Sequence, residues 1–272
     1  MNARYVDAHC HLQFGKFDAD REEIIARMRE QSIAAIVVGV DGPSSEAAVA
    51  LAEAHEHLYA AVGLHPNDTP DEAFDPARYG TLAAHPKVVA IGECGLDYFR
   101  PELINEEVKE AQRALFRAQA ALAAELDKPL IIHARPSKGT HDAYIDLIEL
   151  LREARATHGT RVRGDVHFFV GGGEQAAALY ALGFTVSFTA VITFARDYDT
   201  VIRAAPLESI LSETDAPYVA PVSRRGQRND PLAVTDVALT LAALRGEDPE
   251  KVRKTLVESA LRVFVLPGLR PA

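Results

Sequence analysis

The 272-residue sequence lacks several features that would assign it to particular classes of protein. It has only two cysteines, Cys10 and Cys94, without C-x-x-C spacing, which argues against a disulfide framework and predicts a reducing, cytoplasmic environment. No apolar run approaches the roughly 20 residues that a membrane-spanning helix needs. The first residues lack the apolar segment of a signal peptide, because Asp7 and His9 interrupt it. We therefore expect a cytoplasmic protein with no membrane partner.

An excess of positive charge is also absent. The formal net charge is −10 at pH 7, which argues against a protein that coats nucleic acid with a broad basic face. The charge does not exclude an enzyme that handles a phosphodiester inside a metal-lined pocket, because there the cations supply positive charge locally.

Nucleotide-binding fingerprints and linkers between domains are missing as well. No G-x-G-x-x-G follows the first predicted strand, and no G-x-x-x-x-G-K-[ST] occurs. No linker or low-complexity tract rich in Pro, Gly or Ser divides the chain, so we expect a single domain over residues 1–272. With 48% hydrophobic and 25% charged residues, the composition suits a globular protein with a sizeable core.

The sequence does contain a regular alternation of short apolar runs with longer amphipathic segments rich in Ala, Leu and Glu. About eight strand–helix units follow one another at a spacing of roughly 30 residues, the period of βαβ units. Near-continuous apolar strands are typical of a parallel sheet covered on both faces. We therefore predict a (β/α)8 TIM barrel rather than an open doubly wound sheet. The predicted strands cover residues 5–11, 34–40, 58–63, 88–93, 129–133, 162–167, 184–188 and 209–213. The predicted helices cover residues 18–31, 43–56, 73–84, 105–126, 139–156, 173–181, 231–244 and 249–264, with a short one between the last two strands.

An H-x-H pair, His9 and His11, ends the first predicted strand. Side chains on a strand alternate between its faces, so the two imidazoles point the same way and could bind one divalent metal ion. A pair of hydrogen-bonded histidines is the alternative, and the pair alone does not decide between them.

Other predicted strands also end in polar side chains that could bind a metal. The third to sixth strands end in His65, Glu93, His133 and His167, and the eighth gives Glu213 and Asp215, two apart and hence on one face. In a barrel these ends converge on one rim. Five of the ten histidines lie at such ends, which scattered histidines would not do. We expect the other five, on helices or in loops, to be solvated: His55, His57, His85, His141 and His158.

A cluster of histidines with Glu93 and Asp215 suits two divalent ions bridged by a carboxylate and a water. Imidazole and carboxylate ligands without thiolate favour zinc, manganese or magnesium, and the choice among them stays open. An unpaired Glu93 would be costly to bury at the end of an apolar strand. His65 has a plausible alternative role, which is to hold its loop or bind substrate without touching metal.

The segments around these residues resemble the successive motifs of the TatD family of metal-dependent deoxyribonucleases, over nearly the whole chain. The resemblance implies a (β/α)8 metallohydrolase that cuts DNA, often from the 3′ end. The matching motifs are HCH at 9–11, GLHP at 63–66, GECGLDY at 92–98, IHAR at 132–135, HFFVG at 167–171, ETDAP at 213–217 and, with drift in the basic positions, RGQRNDP at 225–231.

The resemblance also implies roles for individual residues. One metal ion would be bound by His9 and His11 together with Asp215. Glu93 would bridge to a second ion, which His133 and His167 hold. On chemical grounds, Asp215 would also orient the attacking water and take its proton.

The resemblance implies the first two substrate contacts below, and the chemistry of the residues suggests the others. His65 and Arg135 would lie near the scissile phosphate. Arg225 and Arg228, in the loop after the eighth strand, could clamp a flanking phosphate or simply be solvated. Tyr98 and Phe99 could stack a terminal base or pack in the core.

We therefore predict a metal-dependent DNase, a 3′–5′ exonuclease with two divalent ions (Mg, Mn or Zn). DNA, as single strands or 3′ ends, would be its transient substrate, and no obligate protein partner is predicted. One alternative keeps the site but changes the substrate to an amide, a lactone, a small phosphoester or D-aminoacyl-tRNA. Many such enzymes bridge their metals with a carbamylated lysine at the fourth strand, where this chain has Glu93, and Lys87 opens that strand at the other end. The second alternative, a metal-binding scaffold without turnover, has no need of an open metal position.

Overall fold

The computed structural model describes residues 1–67, 72–100 and 102–272, and a parallel sheet of eight strands lies at its centre. The strands in these ranges are β1 Asn2–Ala3, β2 Tyr5–Cys10, β3 Ile33–Val38, β4 Leu58–Val62, β5 Val88–Asp97, β6 Leu130–Arg135, β7 Gly164–Val166, β8 Thr185–Phe188, β9 Ile210–Ser212 and β10 Arg270–Pro271. The α-helices are α1 Arg21–Glu30, α2 Gly42–Ala54, α3 Pro76–Ala83, α4 Glu106–Glu125, α5 Asp142–His158, α6 Gly173–Ala181, α7 Asp199–Ala204, α8 Val234–Arg245 and α9 Pro249–Phe264.

The sheet follows sequence order from β2 to β9, with each strand parallel to its neighbour. It returns to its first strand just beyond the end of β9, where Cys10 forms a parallel bridge with Ala216. Asp215 N donates to His9 O at 2.9 Å, and His11 N donates to Ala216 O at 2.7 Å. The predicted (β/α)8 barrel is confirmed.

Alternate residues of the strands pack into two apolar clusters, one on each face of the sheet. Ile33, Ala35 and Val37 of β3 belong to the cluster that packs against the surrounding helices. Residues 34, 36 and 38 belong to the other cluster, with Ile131 of β6 and Leu211 of β9, so this cluster fills the barrel interior. Residues of α9 join it and close the N-terminal end of the barrel. The C-terminal end is the one left for polar side chains.

Helix starts follow from capping residues that the sequence supplies. The Asp41 side chain accepts from Ser44 N in a capping box at α2, and Asn105 and Asp248 cap α4 and α9 through the same type of bond. No helix of the described ranges is long and apolar enough to cross a membrane.

The prediction that Glu93 ends its strand is wrong, because β5 continues to Asp97. The pairing of β5 with β6 shifts from Ile91↔Leu130 to Cys94↔Ile132, so β5 carries one extra residue over this stretch. Such a bulge re-aims a side chain without ending the strand. Glu93 therefore lies within β5, and a second acidic residue, Asp97, stands at its end.

The prediction that His57 is solvated is also wrong. Its side chain is buried near Ile25 of α1, and burial lowers the pKa of the imidazole. His57 lies at the end of the barrel opposite the predicted site, just before β4.

We expect Gly95→Ala to destabilise the barrel because β5 and β6 approach closely there. Gly95 has a φ of +143°, and a Cβ on it would stand 1.9 Å from the His133 carbonyl oxygen. The free energy of unfolding, measured with urea by circular dichroism, should fall by roughly 2–4 kcal/mol, from overpacking plus a positive-φ term. Gly139→Ala is the control, since Gly139 has a φ of +76° with nothing within 4 Å of a Cβ. An equal loss in both variants would contradict the close approach.

Candidate metal centre

The side chains predicted to bind metal lie together at the C-terminal end of the barrel. They are almost completely buried, and the most exposed of them, His133, has a side-chain exposure of 17%. Strands that are distant in sequence bring them to one place. The set consists of His9 in β2 and His11 just after it, Glu93 in β5, His133 in β6, His167 just after β7 and Asp215 just after β9.

The first donor group surrounds one oxygen of Glu93. Glu93 Oε2 lies 3.4 Å from His9 Nε2 and 3.6 Å from His11 Nε2. Asp215 Oδ1 lies 3.9 Å and 3.5 Å from the same two nitrogens. We call His9, His11, Asp215 and Glu93 Oε2 the first donor group.

The second donor group surrounds the other oxygen of Glu93. Glu93 Oε1 lies 2.9 Å from His167 Nε2, 3.1 Å from His133 Nδ1 and 3.5 Å from His65 Nε2. The structure thus brings His65 into the cluster, beyond the substrate contact expected for it. We call His65, His133, His167 and Glu93 Oε1 the second donor group. The rings of His9 and His167 stack at 3.9 Å and join the two groups.

The donor spacing fits divalent metal ions. Two ligand atoms at about 2.1 Å from a tetrahedral metal ion lie about 3.4 Å apart. The distances within both groups, 2.9–3.9 Å, bracket this value. The thiols are directed elsewhere: the Sγ atoms of Cys10 and Cys94 contact the carbonyl oxygens of Ile36 and Ile131. The buried His/Asp/Glu cluster therefore fits divalent metal binding through nitrogen and oxygen.

Groups behind the imidazoles orient them. His11 Nδ1 donates to Val38 O at 2.8 Å, which leaves Nε2 as a lone-pair donor toward the cluster. His133 Nε2 faces Asp97 Oδ2 at 3.3 Å, so its Nδ1 faces Glu93. A carboxylate or carbonyl behind a ligating imidazole fixes its tautomer and raises its basicity. Sequence reasoning missed Asp97, whose only signal was an acidic residue four positions after Glu93.

Glu213 is a further orienting group, and its expected placement beside Asp215 is wrong. The strand β9 ends at Ser212, and Asp215 has a φ of +52°, so the alternation of faces does not extend to this pair. Glu213 Oε1 lies behind His167, 3.6 Å from Nδ1, and accepts from Phe168 N at 2.6 Å. Asp215 instead faces His9 and His11.

The ionisation of the cluster follows from this packing. Burial alone would raise the pKa of Glu93, but His167, His65 and His9 hold it well below its ordinary value. Burial would raise the pKa of Asp97, but His133, the Phe99 N–H and the charge of Arg135 together lower it to about 2. Glu93 and Glu213 hold the pKa of His167 well above its ordinary value in spite of burial. A metal ion that binds these imidazoles therefore competes with protons for them.

Two of the predicted substrate contacts lie at the mouth of the barrel. Arg135 ends β6, and its guanidinium carbon stands 3.8 Å from the centre of the exposed Phe99 ring. Arg225 stacks in the same way on Phe194, at 3.7 Å. Tyr98, by contrast, packs in the core, where its hydroxyl donates to Asp146.

Arg228 has internal partners that the sequence did not indicate. Its Nη2 lies 2.6 Å from Asp20 Oδ2, and its Nη1 donates to the Lys16 carbonyl oxygen at 2.6 Å. The guanidinium also covers the buried Phe17 ring at 4.5 Å. This arrangement favours a structural role, in which Arg228 joins the loop after β9 to the loop after β2.

Comparison with known proteins gives consistent similarities over nearly the whole chain. The sequence model of the family described as TatD related DNase matches residues 6–265. The uncharacterized metal-dependent hydrolase YabD of Bacillus subtilis is 37% identical over 262 residues, 95% of this chain and 98% of that protein. The 3′-5′ ssDNA/RNA exonuclease TatD of Pectobacterium parmentieri is 32% identical over 270 residues, 96% and 99% of the two chains. The crystal structure of YjjV, a TatD homologue from Escherichia coli K12, superposes with a TM-score of 0.86 at 31% identity, covering 98% of this chain and 100% of that one.

We expect added Zn²⁺ or Mn²⁺ to raise the melting temperature of chelator-treated protein, because the metal binds only the folded cluster. At a metal concentration one hundred times Kd, binding adds about 2.7 kcal/mol to the free energy of unfolding. This gain should shrink as pH falls, since protons compete for the imidazoles. Differential scanning calorimetry measures the shift. Glu93→Gln should lose most of it, whereas Glu258→Gln, on the outer face of α9, should keep it. An unchanged melting temperature in the wild type would contradict a metal centre.

Asp97→Asn should weaken metal binding by roughly 10- to 100-fold, the usual effect of removing a carboxylate behind a ligating imidazole. Competition with a chromogenic chelator measures the affinity directly, without substrate. Asp127→Asn is the matched control, because that carboxylate pairs with Arg163 outside the cluster. Equal affinities in Asp97→Asn and wild type would show that Asp97 does not hold His133 for the metal.

Proposed function

Because the chain belongs to the family of TatD-related DNases, which are metal-dependent hydrolases acting on ester bonds, we propose that its reaction is the hydrolysis of DNA phosphodiester bonds. The observation that carries this proposal is the division of Glu93 between two donor groups, one at each carboxylate oxygen. A carboxylate placed in this way suits a two-metal site, and such sites serve the in-line displacements of phosphoryl chemistry.

We assign the ligands as follows. His9, His11, Asp215 and Glu93 would hold one ion, and Glu93, His133 and His167 would hold the other. The imidazoles of this donor set suit zinc, and its carboxylates suit manganese and magnesium. When bound, the ions supply Lewis acidity, which lowers the pKa of the attacking water and neutralises charge on the phosphate.

The chain's own groups perform the other tasks of the reaction. Asp215, whose side chain is 12% exposed, reaches the opening of the cluster, where its carboxylate can orient the water and accept its proton. Glu93 holds the two donor groups in register. His65 contacts Glu93 from the side of the second donor group and is placed to contact a phosphate oxygen there.

The charge around the mouth favours a polyanionic substrate despite the net charge of −10. Lys16, Arg135 and Arg225 are exposed there, and their positive charge is local to the site. Guanidinium groups bind phosphate through charge-assisted hydrogen bonds, so Arg135 is the first candidate to hold the flanking phosphate. Arg225 is the second.

We propose 3′–5′ exonuclease action on single strands or 3′ ends. The similarity to the relative named 3′-5′ ssDNA/RNA exonuclease TatD supports this direction, as it spans nearly all of both chains. Lys87 is not placed to bridge two metals, as a lysine does in enzymes with amidohydrolase-like substrates. Its Nζ donates to the carbonyl oxygens of Glu56 and Leu58, at 2.7 and 3.0 Å, at the N-terminal end of β4 and away from the cluster.

Metal-loaded wild type should shorten a 5′-labelled single-stranded oligodeoxynucleotide from its 3′ end. Glu93→Ala and Asp215→Ala should each lower the rate by about 1000-fold or more, because each removes charge stabilisation at the reacting centre. Denaturing gel electrophoresis measures the products, and circular dichroism checks that the variants fold. Glu258→Ala should retain the wild-type rate.

Inactivity toward single-stranded and duplex DNA with Mg²⁺, Mn²⁺ and Zn²⁺ would contradict the proposal. If the protein instead hydrolysed D-aminoacyl-tRNA in a parallel assay, we would assign it this other ester as substrate, with the same metal site.

A further inference from the structure

Two exposed aromatic rings stand at the mouth of the barrel, and each has a cation beside it. Phe99 is 40% exposed and Tyr218 is 44% exposed, and no other Phe or Tyr in the described ranges is as open to solvent. The Arg135 guanidinium lies 3.8 Å from the centre of the Phe99 ring, and Lys16 Nζ lies 4.8 Å from the centre of the Tyr218 ring. Both rings are therefore accessible to a ligand beside the site.

Each ring is tied to one donor group. Tyr218 N donates to Asp215 O at 2.9 Å, and its ring meets the His11 ring edge-on at 6.3 Å. Phe99 N donates to Asp97 Oδ1 at 3.0 Å, and that aspartate contacts His133. The backbone therefore fixes Tyr218 beside the first donor group and Phe99 beside the second.

The strand order places the two rings on opposite sides of the cluster. Tyr218 follows β9, which neighbours β2, and Phe99 follows β5, which neighbours β6. In the closed barrel, two strands separate these pairs in either direction: β3 and β4 on one side, β7 and β8 on the other. A phosphate held over Glu93 would thus have one aromatic ring on each flank.

The energetics allow nucleobases to take the place of the cations. Stacking of a base on an aromatic side chain contributes roughly 5- to 150-fold in affinity, whereas an exposed cation–π contact contributes roughly 2- to 5-fold. A base can therefore displace Lys16 or Arg135 from its ring. The released ammonium or guanidinium is then free to pair with the adjacent phosphate.

We propose that Tyr218 and Phe99 are stacking platforms for the two nucleotides that flank the scissile phosphate, one base on each ring. This inference rests on the proposed nuclease function and adds a substrate requirement to it. Both flanking bases have to be unpaired and splayed apart to reach rings on opposite sides. The preferred substrate is therefore a single-stranded end with a base on each side of the bond, and a fully paired end reacts more slowly.

A cycle that combines ring removal with base removal tests this contact directly. The substrates are a short single-stranded oligodeoxynucleotide and two versions of it that carry an abasic site at the terminal or the penultimate 3′ nucleotide. In metal-loaded wild type each abasic site should lower kcat/KM by roughly 10-fold, mainly through KM. In Tyr218→Ala one of these penalties should disappear, and in Phe99→Ala the other, because the lost ring and the lost base are partners.

Two further variants serve as controls. Tyr218→Phe keeps the ring and should keep both penalties. Ile145→Ala removes an exposed apolar side chain on the outer face of α5 and should also behave as wild type.

If the effects of ring removal and base removal multiply in both variants, the rings do not contact the bases. That result would contradict the stacking platforms and leave the proposed nuclease function standing. Coupling of both rings to the same base would overturn their placement on opposite flanks. If metal-loaded wild type hydrolyses no oligonucleotide, the nuclease function fails and the platforms fail with it.

Discussion

The contact between the buried carboxylate of Glu93 and the imidazoles around it is the interaction on which the rest of this structure depends. A charge of this kind is costly to bury, and the cost is offset only by close partners of opposite charge or by metal. The five imidazoles within 3.6 Å of one or other oxygen supply these partners, with His167 the closest. The carboxylate therefore organises two donor groups rather than one.

The barrel makes this arrangement possible by separating an apolar end from a polar one. Residues of α9 close the N-terminal end with apolar side chains, so buried polar groups gather at the C-terminal rim. There a further layer of acceptors holds the imidazoles: the Val38 carbonyl behind His11, and the Asp97 carboxylate behind His133. Contacts within the chain thus hold these imidazoles in place, and such positioning favours metal binding.

The sequence predicted much of this because its signals are local. Apolar runs at a regular spacing revealed all eight barrel strands, and the strand-terminal histidines converge as the (β/α)8 topology requires. The predictions failed where a strand departs from strict alternation of its side chains and where residues far apart in sequence make contact. The bulge in β5 hid the role of Asp97, and the positive φ of Asp215 separated it from Glu213. The pairing of Arg228 with Asp20 joins residues 208 positions apart, and no pattern within either loop indicates it.

Anomalous diffraction from crystals soaked in manganese or zinc tests the central claim most directly. The account predicts two peaks that flank Glu93, one within bonding distance of His9 and His11 and the other within bonding distance of His133 and His167. A single peak, or ions bound away from Glu93, would contradict the division of this carboxylate between two metals.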